Sequence, residues 1–170
     1  MTGDRPRHGG AVILVSLIIA LMLTILPVAQ AVEDLPPWLT NLRPEWTALI
    51  LLYWSLNLPD RVGVGCGWLL GLFQDALLGT LLGQHALAFA IIAYLAVRLH
   101  QHLRLVPLWQ QAFFVFTMLL IAQLIVFWVN GLIGRPSPDW QAWAAVLLGA
   151  LLWPALFHFM SAIRRRFQVQ

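Results

Sequence analysis

The sequence predicts an all-α integral membrane protein, a bundle of six transmembrane helices forming one domain over residues 1–170. Three observations predict it. The 170 residues are 61% hydrophobic and only 10% charged, against roughly 45–50% and about 25% in an ordinary soluble domain. The uncharged residues gather into six long runs. The charges collect at the ends of those runs, where a membrane protein meets its interfaces. A chain this apolar cannot keep a water-facing surface, so its solvent is lipid.

Each run is judged against the ~20 helical residues needed to cross a ~30 Å hydrocarbon core. Residues 11–32 are ample, with Pro27 near the far end. Arg5 and Arg7 before this run and Ala29-Gln30-Ala31 after it imitate a cleaved secretory signal. The apolar stretch is long for a signal, which favours a retained span. A polar stretch with Pro36 and Pro37 follows. Residues 44–58 form the second run, with Pro44 suited to a first helical turn and Glu45 to the positive end of the helix dipole. This run is short, and it predicts either a thinned bilayer or support from neighbouring helices. The third run is 62–82, interrupted by Gln74 and Asp75. The fourth, 85–99, is again short. The fifth, 108–133, is long enough to tilt. The sixth, 140–163, holds Pro154 and ends on Arg164, Arg165 and Arg166.

All ten basic residues are arginine. With six spans, one side receives Arg5, Arg7, Arg61, Arg98, Arg104, Arg164, Arg165 and Arg166, and the other only Arg43 and Arg135. This bias places both termini in the cytoplasm. The same placement assigns the positive charge to membrane lipids rather than to nucleic acid. Cys66 is the single cysteine, so no internal disulfide forms.

The third run carries the most information. Gly63, Gly67, Gly71, Asp75, Gly79 and Gly83 recur every four residues. Each step of four advances about 40° beyond a full turn, so the stripe spirals slowly along one side of a helix. Small residues at this spacing let a second backbone approach, and they predict a helix-packing face, within the chain or toward a partner. Asp75 interrupts the stripe deep in the span. A carboxylate there costs at least ~2.5–3.5 kcal/mol. One reading is a hydrogen-bonded aspartate tying helices together; the other is a site for protons, ions or a polar ligand. No second buried acid or base stands in an evident relay with it. Gln74, turned by about 100°, predicts another interhelical hydrogen bond. His85 opens the fourth run near the outer surface. His100 and His102 read as a solvated basic loop, because no third ligand completes a metal site. Trp38, Trp46, Trp109 and Trp140 fall at predicted interfaces, and the remaining five tryptophans within spans.

No P-loop, dinucleotide-binding glycine fingerprint, HExxH pair or nucleophile elbow occurs. No loop is long enough for a soluble catalytic domain. The residues predict neither a catalytic nor a cofactor or metal site.

Arg43-Pro44-Glu45-Trp46, Tyr53-Trp54 and Pro59-x-Arg61-Val62-Gly63 resemble the rod shape-determining protein MreD family. So does the stretch Gly67-Trp68-x-x-Gly71-Leu72-x-x-Asp75-x-Leu77-x-Gly79, continued by Leu82-Gly83-x-His85-Ala86-Leu87. Tyr94, Arg98, Pro107 and Gln110-Gln111 extend the likeness, which covers residues 38–111. The resemblance implies a non-enzymatic inner-membrane scaffold of the bacterial cell-elongation machinery. It implies MreC as the direct partner, alongside MreB, RodA and a penicillin-binding transpeptidase. It also implies a fold resembling the substrate-binding subunits of energy-coupling-factor importers. That likeness supplies the rival reading, a small-molecule transporter subunit with a polar site at Asp75.

Overall fold

The computed structural model describes residues 8–25, 44–136 and 140–168. Among them the chain is all-helical and contains no strand. The six helices are α1 (His8–Ile25), α2 (Trp46–Asn57), α3 (Val64–Leu78), α4 (Gln84–Leu103), α5 (Leu108–Leu132) and α6 (Trp140–Arg166). The helices α4, α5 and α6 are long and apolar enough to cross a membrane, whereas α1 and α3 are apolar but shorter. Residues 26–43, which include Arg43, Trp38 and the signal-like Ala29-Gln30-Ala31, lie outside the described residues.

The shortest element sits at the centre. At 1.5 Å per residue, the 12 residues of α2 span only about 18 Å. All ten residues from Thr47 to Leu56 are buried. A helix apolar all round must be covered all round, and α1, α4, α5 and α6 each pack against α2. Its shortness therefore reflects support by neighbours. The helix begins at Trp46 with Glu45 at the N-cap, so Pro44 precedes the first turn instead of occupying it. Trp46 is partly buried against the core.

Lipid gives no hydrophobic drive for helices to associate, so packing and hydrogen bonds hold this bundle. Trp54 Nε1 donates to Ser16 Oγ at 2.8 Å, and Thr24 and Thr47 share a hydrogen bond of 2.9 Å. These two bonds pin α1 to α2. Tyr53 meets Trp54 and Phe157 edge-on, with ring centroids 5.3 and 5.7 Å apart. At the far end of α2, Arg104 Nε donates to the Leu56 carbonyl at 3.3 Å, and Arg104 Nη2 to that of Asn57. Arg164 Nη1 donates to Asn57 Oδ1 at 2.8 Å. Arg104, at the end of α4, thus satisfies backbone carbonyls that the helix end would leave orphaned, and Arg164 of α6 ties to the side chain of the last residue of α2.

Two expected boundaries shift by four residues. The third helix stops at Leu78 instead of residue 82, because Gly79 enters the left-handed region at φ 64° and the chain turns. The fourth runs on to Leu103 instead of stopping at residue 99. Arg98, His100 and His102 are thus helical, and His100 Nδ1 reaches the Val97 carbonyl at 2.6 Å. The two histidines do not form a loop. The sixth helix passes through Pro154 unbroken. Leu14, Trp68, Phe73, Phe113, Trp128 and Leu151 point outward, an apolar perimeter suited to lipid and hazardous in water.

Candidate functional site at the turn between α3 and α4

The polar residues of the third run meet at a tight reversal. Gly79 (φ 64°) caps the C-terminus of α3, and Gly83 (φ 102°) the N-terminus of α4. Both hold backbone conformations that favour glycine. Gly63 is the extended N-cap of α3. The four-residue repeat therefore combines two roles. Only Gly67 and Gly71 act as a packing face. A Cβ on Gly67 would stand 2.7 Å from the Phe89 carbonyl oxygen and 3.1 Å from the Ala93 Cβ. One on Gly71 would run into the Ala86 backbone and stand 2.5 Å from the His85 carbonyl carbon. The backbone these glycines admit is α4 of the same chain. Of the two alternatives, a face within the chain or one toward a partner, the contacts of Gly67 and Gly71 are with a helix of the same chain.

Asp75 lies in the last turn of α3, next to the reversal, and not deep in a long span. Its side chain is fully buried. Oδ2 accepts from the backbone N–H of Gly83 at 2.9 Å and of Ala86 at 3.4 Å. The His85 N–H is shared between both oxygens at 3.1 Å. Thr80 Oγ1 donates to Oδ1 at 2.7 Å, and His85 Nδ1 lies 2.7 Å from the same oxygen. A carboxylate only accepts, so the ring nitrogen is the donor. The carboxylate thus caps α4, meeting N–H groups that the helix start cannot satisfy internally and placing negative charge at the positive end of its dipole. An N-cap side chain usually comes from the residue beside the helix; here it comes from the preceding helix, across the turn.

His85 is also buried. Its Nε2 faces Glu45 Oε1 at 4.0 Å, an ion-pair distance too long for a hydrogen bond. His85 therefore stands between Asp75 and Glu45, a juxtaposition the sequence did not reveal. Among the described residues no His, Cys, Asp and Glu side chains cluster as a metal would require. A cavity of about 120 Å³ opens beside Glu45, with Gln123, Leu119 and Val146 in its wall. Gln74 is buried, but neither of its amide atoms has a partner among the described residues. The expected interhelical hydrogen bond is not seen among the described residues. Arg61 is exposed in the turn after α2 and flanks a groove between α1 and α3.

The family model of the rod shape-determining protein MreD matches residues 7–163. The rod shape-determining protein MreD of Haemophilus influenzae (strain Rd) is 37% identical over 138 residues, 79% of this chain and 85% of that protein. The chain belongs to the MreD family. No solved structure matches it, and the expected likeness to importer subunits has no support. MreD membership extends well beyond residues 38–111, to include α1, α5 and α6. Sequence reasoning missed Thr80, the reach of Glu45, the capping by Arg104 and the bond from Arg164 to Asn57. The Gly-Thr-x-x-Gly turn after Asp75 was the signal available for the first of these.

Proposed function

We propose that this protein is a non-enzymatic scaffold of the bacterial inner membrane that maintains rod shape and supports lateral peptidoglycan synthesis. In this reading it binds MreC within an elongation assembly that includes MreB, RodA and a penicillin-binding transpeptidase. The family match over residues 7–163 carries the reading. The site supports it: both Asp75 oxygens are engaged by groups of the same chain, as expected for a residue that holds two helices in register. Because α4 covers Gly67 and Gly71, the MreC contact belongs on the outward surfaces of the bundle.

The transporter reading draws on the cavity beside Glu45. Its volume of about 120 Å³ falls below the ~300–1,000 Å³ of ordinary small-molecule pockets. The test is depletion in the host, with cell shape followed by microscopy and MreC assayed for co-purification with the full chain. Rounded cells rescued by the wild-type gene, with MreC recovered, are the expected result. Unchanged rods and no MreC would overturn the scaffold, and a metabolite that stabilises the purified protein would then favour transport.

A further inference from the structure

The arginine-rich end of the bundle contains a second feature, unrelated to the Asp75 turn. A cleft of about 420 Å³ opens between the end of α2, the α4–α5 connection and the last turns of α6. Arg104 and Arg164 both line it, with Asn57 and Gln111 beside them and Leu103 and Phe157 forming apolar wall. Among the described residues no carboxylate lines the cleft, and neither arginine has an ion-pair partner. Both guanidiniums touch the C-terminus of α2. That helix end carries roughly half an elementary negative charge, against two positive charges. The cleft therefore holds a surplus of more than one positive charge beside apolar surface. Gln111 is buried, and its Nε2 donates to the Leu103 carbonyl at 2.9 Å. This bond fixes the connection that forms one wall. Arg61, Arg98, Arg165 and Arg166 are exposed in elements at the same end.

We propose that this cleft is a specific site for the phosphate headgroup of an anionic lipid. The arginines take the phosphate, and the acyl chains leave along the apolar wall toward the perimeter. A guanidinium suits this task because its planar fork can offer two N–H groups to one phosphate. Arg164 spends only Nη1 on Asn57, so its other donors face no partner among the described residues. Free inorganic phosphate has the same chemistry without the chains.

The experiment is native mass spectrometry of the full chain released from nanodiscs containing equal phosphatidylcholine and phosphatidylglycerol. The wild type is expected to retain phosphatidylglycerol several-fold over phosphatidylcholine. One interfacial arginine is worth about five-fold in binding to anionic lipid, so Arg164→Gln should cut the preference by about that factor. Arg104 still caps the α2 carbonyls in this variant. Arg166→Gln removes an exposed arginine that does not line the cleft. A headgroup seated on Arg104 and Arg164 should keep its preference within about two-fold in this variant, whereas diffuse surface charge would give the same loss at either position. No preference in the wild type, or equal losses in the two variants, would overturn the site in favour of diffuse surface charge. Thermal unfolding of the wild type provides a readout independent of any variant: phosphatidylglycerol should raise its melting temperature over phosphatidylcholine alone, and no rise overturns the site. Inorganic phosphate giving the same rise in pure phosphatidylcholine would reassign the cleft to a free anion and overturn the lipid.

Discussion

Inside a bundle, a carboxylate can stay charged only by collecting enough donors to replace water. Asp75 collects the Thr80 hydroxyl, the His85 ring and three backbone N–H groups. Substituting Asp75→Asn preserves the shape but replaces one acceptor oxygen with a donor facing donors. Charge-assisted bonds are lost and at least one N–H at the start of α4 is stranded, a loss on the order of 3 kcal/mol. For a chain of this size the melting temperature in detergent should fall by about 6–12 °C. A variant melting within a degree or two of wild type would remove the cap from the account. The sequence made Asp75 conspicuous because an acid within an apolar run is expensive. It did not reveal the cap, because the partners follow a chain reversal. A continuous helical repeat would carry Gly83 and His85 away from Asp75; the two left-handed glycines bring them back.

The same reversal makes α3 and α4 a pair of antiparallel helices in close contact, and small residues decide how close. Gly71→Ala adds a methyl group that meets the Ala86 backbone, which cannot rotate aside. Gly65→Ala, on the same helix, meets nothing within 4 Å. The first should destabilise the fold by about 3 kcal/mol. The second should be neutral or stabilise by up to about 1 kcal/mol, because alanine is the better helix former. Parallel melting curves check the contrast, and similar curves for the two variants would refute the close approach. Loss of MreC alone from a normally folded Gly71→Ala protein would instead return that face to a partner. At this scale hydropathy found all six elements but not all their ends. Arg98 looked like a terminus, yet a helix can carry an arginine through its final turns when that stretch reaches the interface. The second run looked too short for a span, and its length made sense only once four neighbouring helices surrounded it. Their order around α2 depends on tertiary contacts that no local pattern encodes.

Across the whole molecule, charge separates the two ends of the bundle. The turn after α2, the last turns of α4 and the last turn of α6 hold Arg61, Arg98, Arg104, Arg164, Arg165 and Arg166. Arg104 and Arg164 both meet the end of α2, which fixes these segments to one end. Among the described residues the opposite end holds only Arg135. At 27 residues, α6 extends for about 40 Å, exceeding the ~30 Å core. Its final arginines can therefore stand clear of the hydrocarbon while Trp140 remains at the other interface. Arginine-rich ends stay on the cytoplasmic side during insertion, so the C-terminus should be cytoplasmic. A green fluorescent protein fused after Gln170 should fluoresce, and an alkaline phosphatase fused there should be inactive. Fusions within the loop between α5 and α6 should behave the opposite way. An active phosphatase at the C-terminus would invert the bundle, placing the cleft of Arg104 and Arg164 in the outer leaflet and the Asp75 turn at the cytoplasmic surface. The α2 caps would remain in either orientation, because they depend on contacts within the chain; the leaflet supplying lipid to the cleft would change.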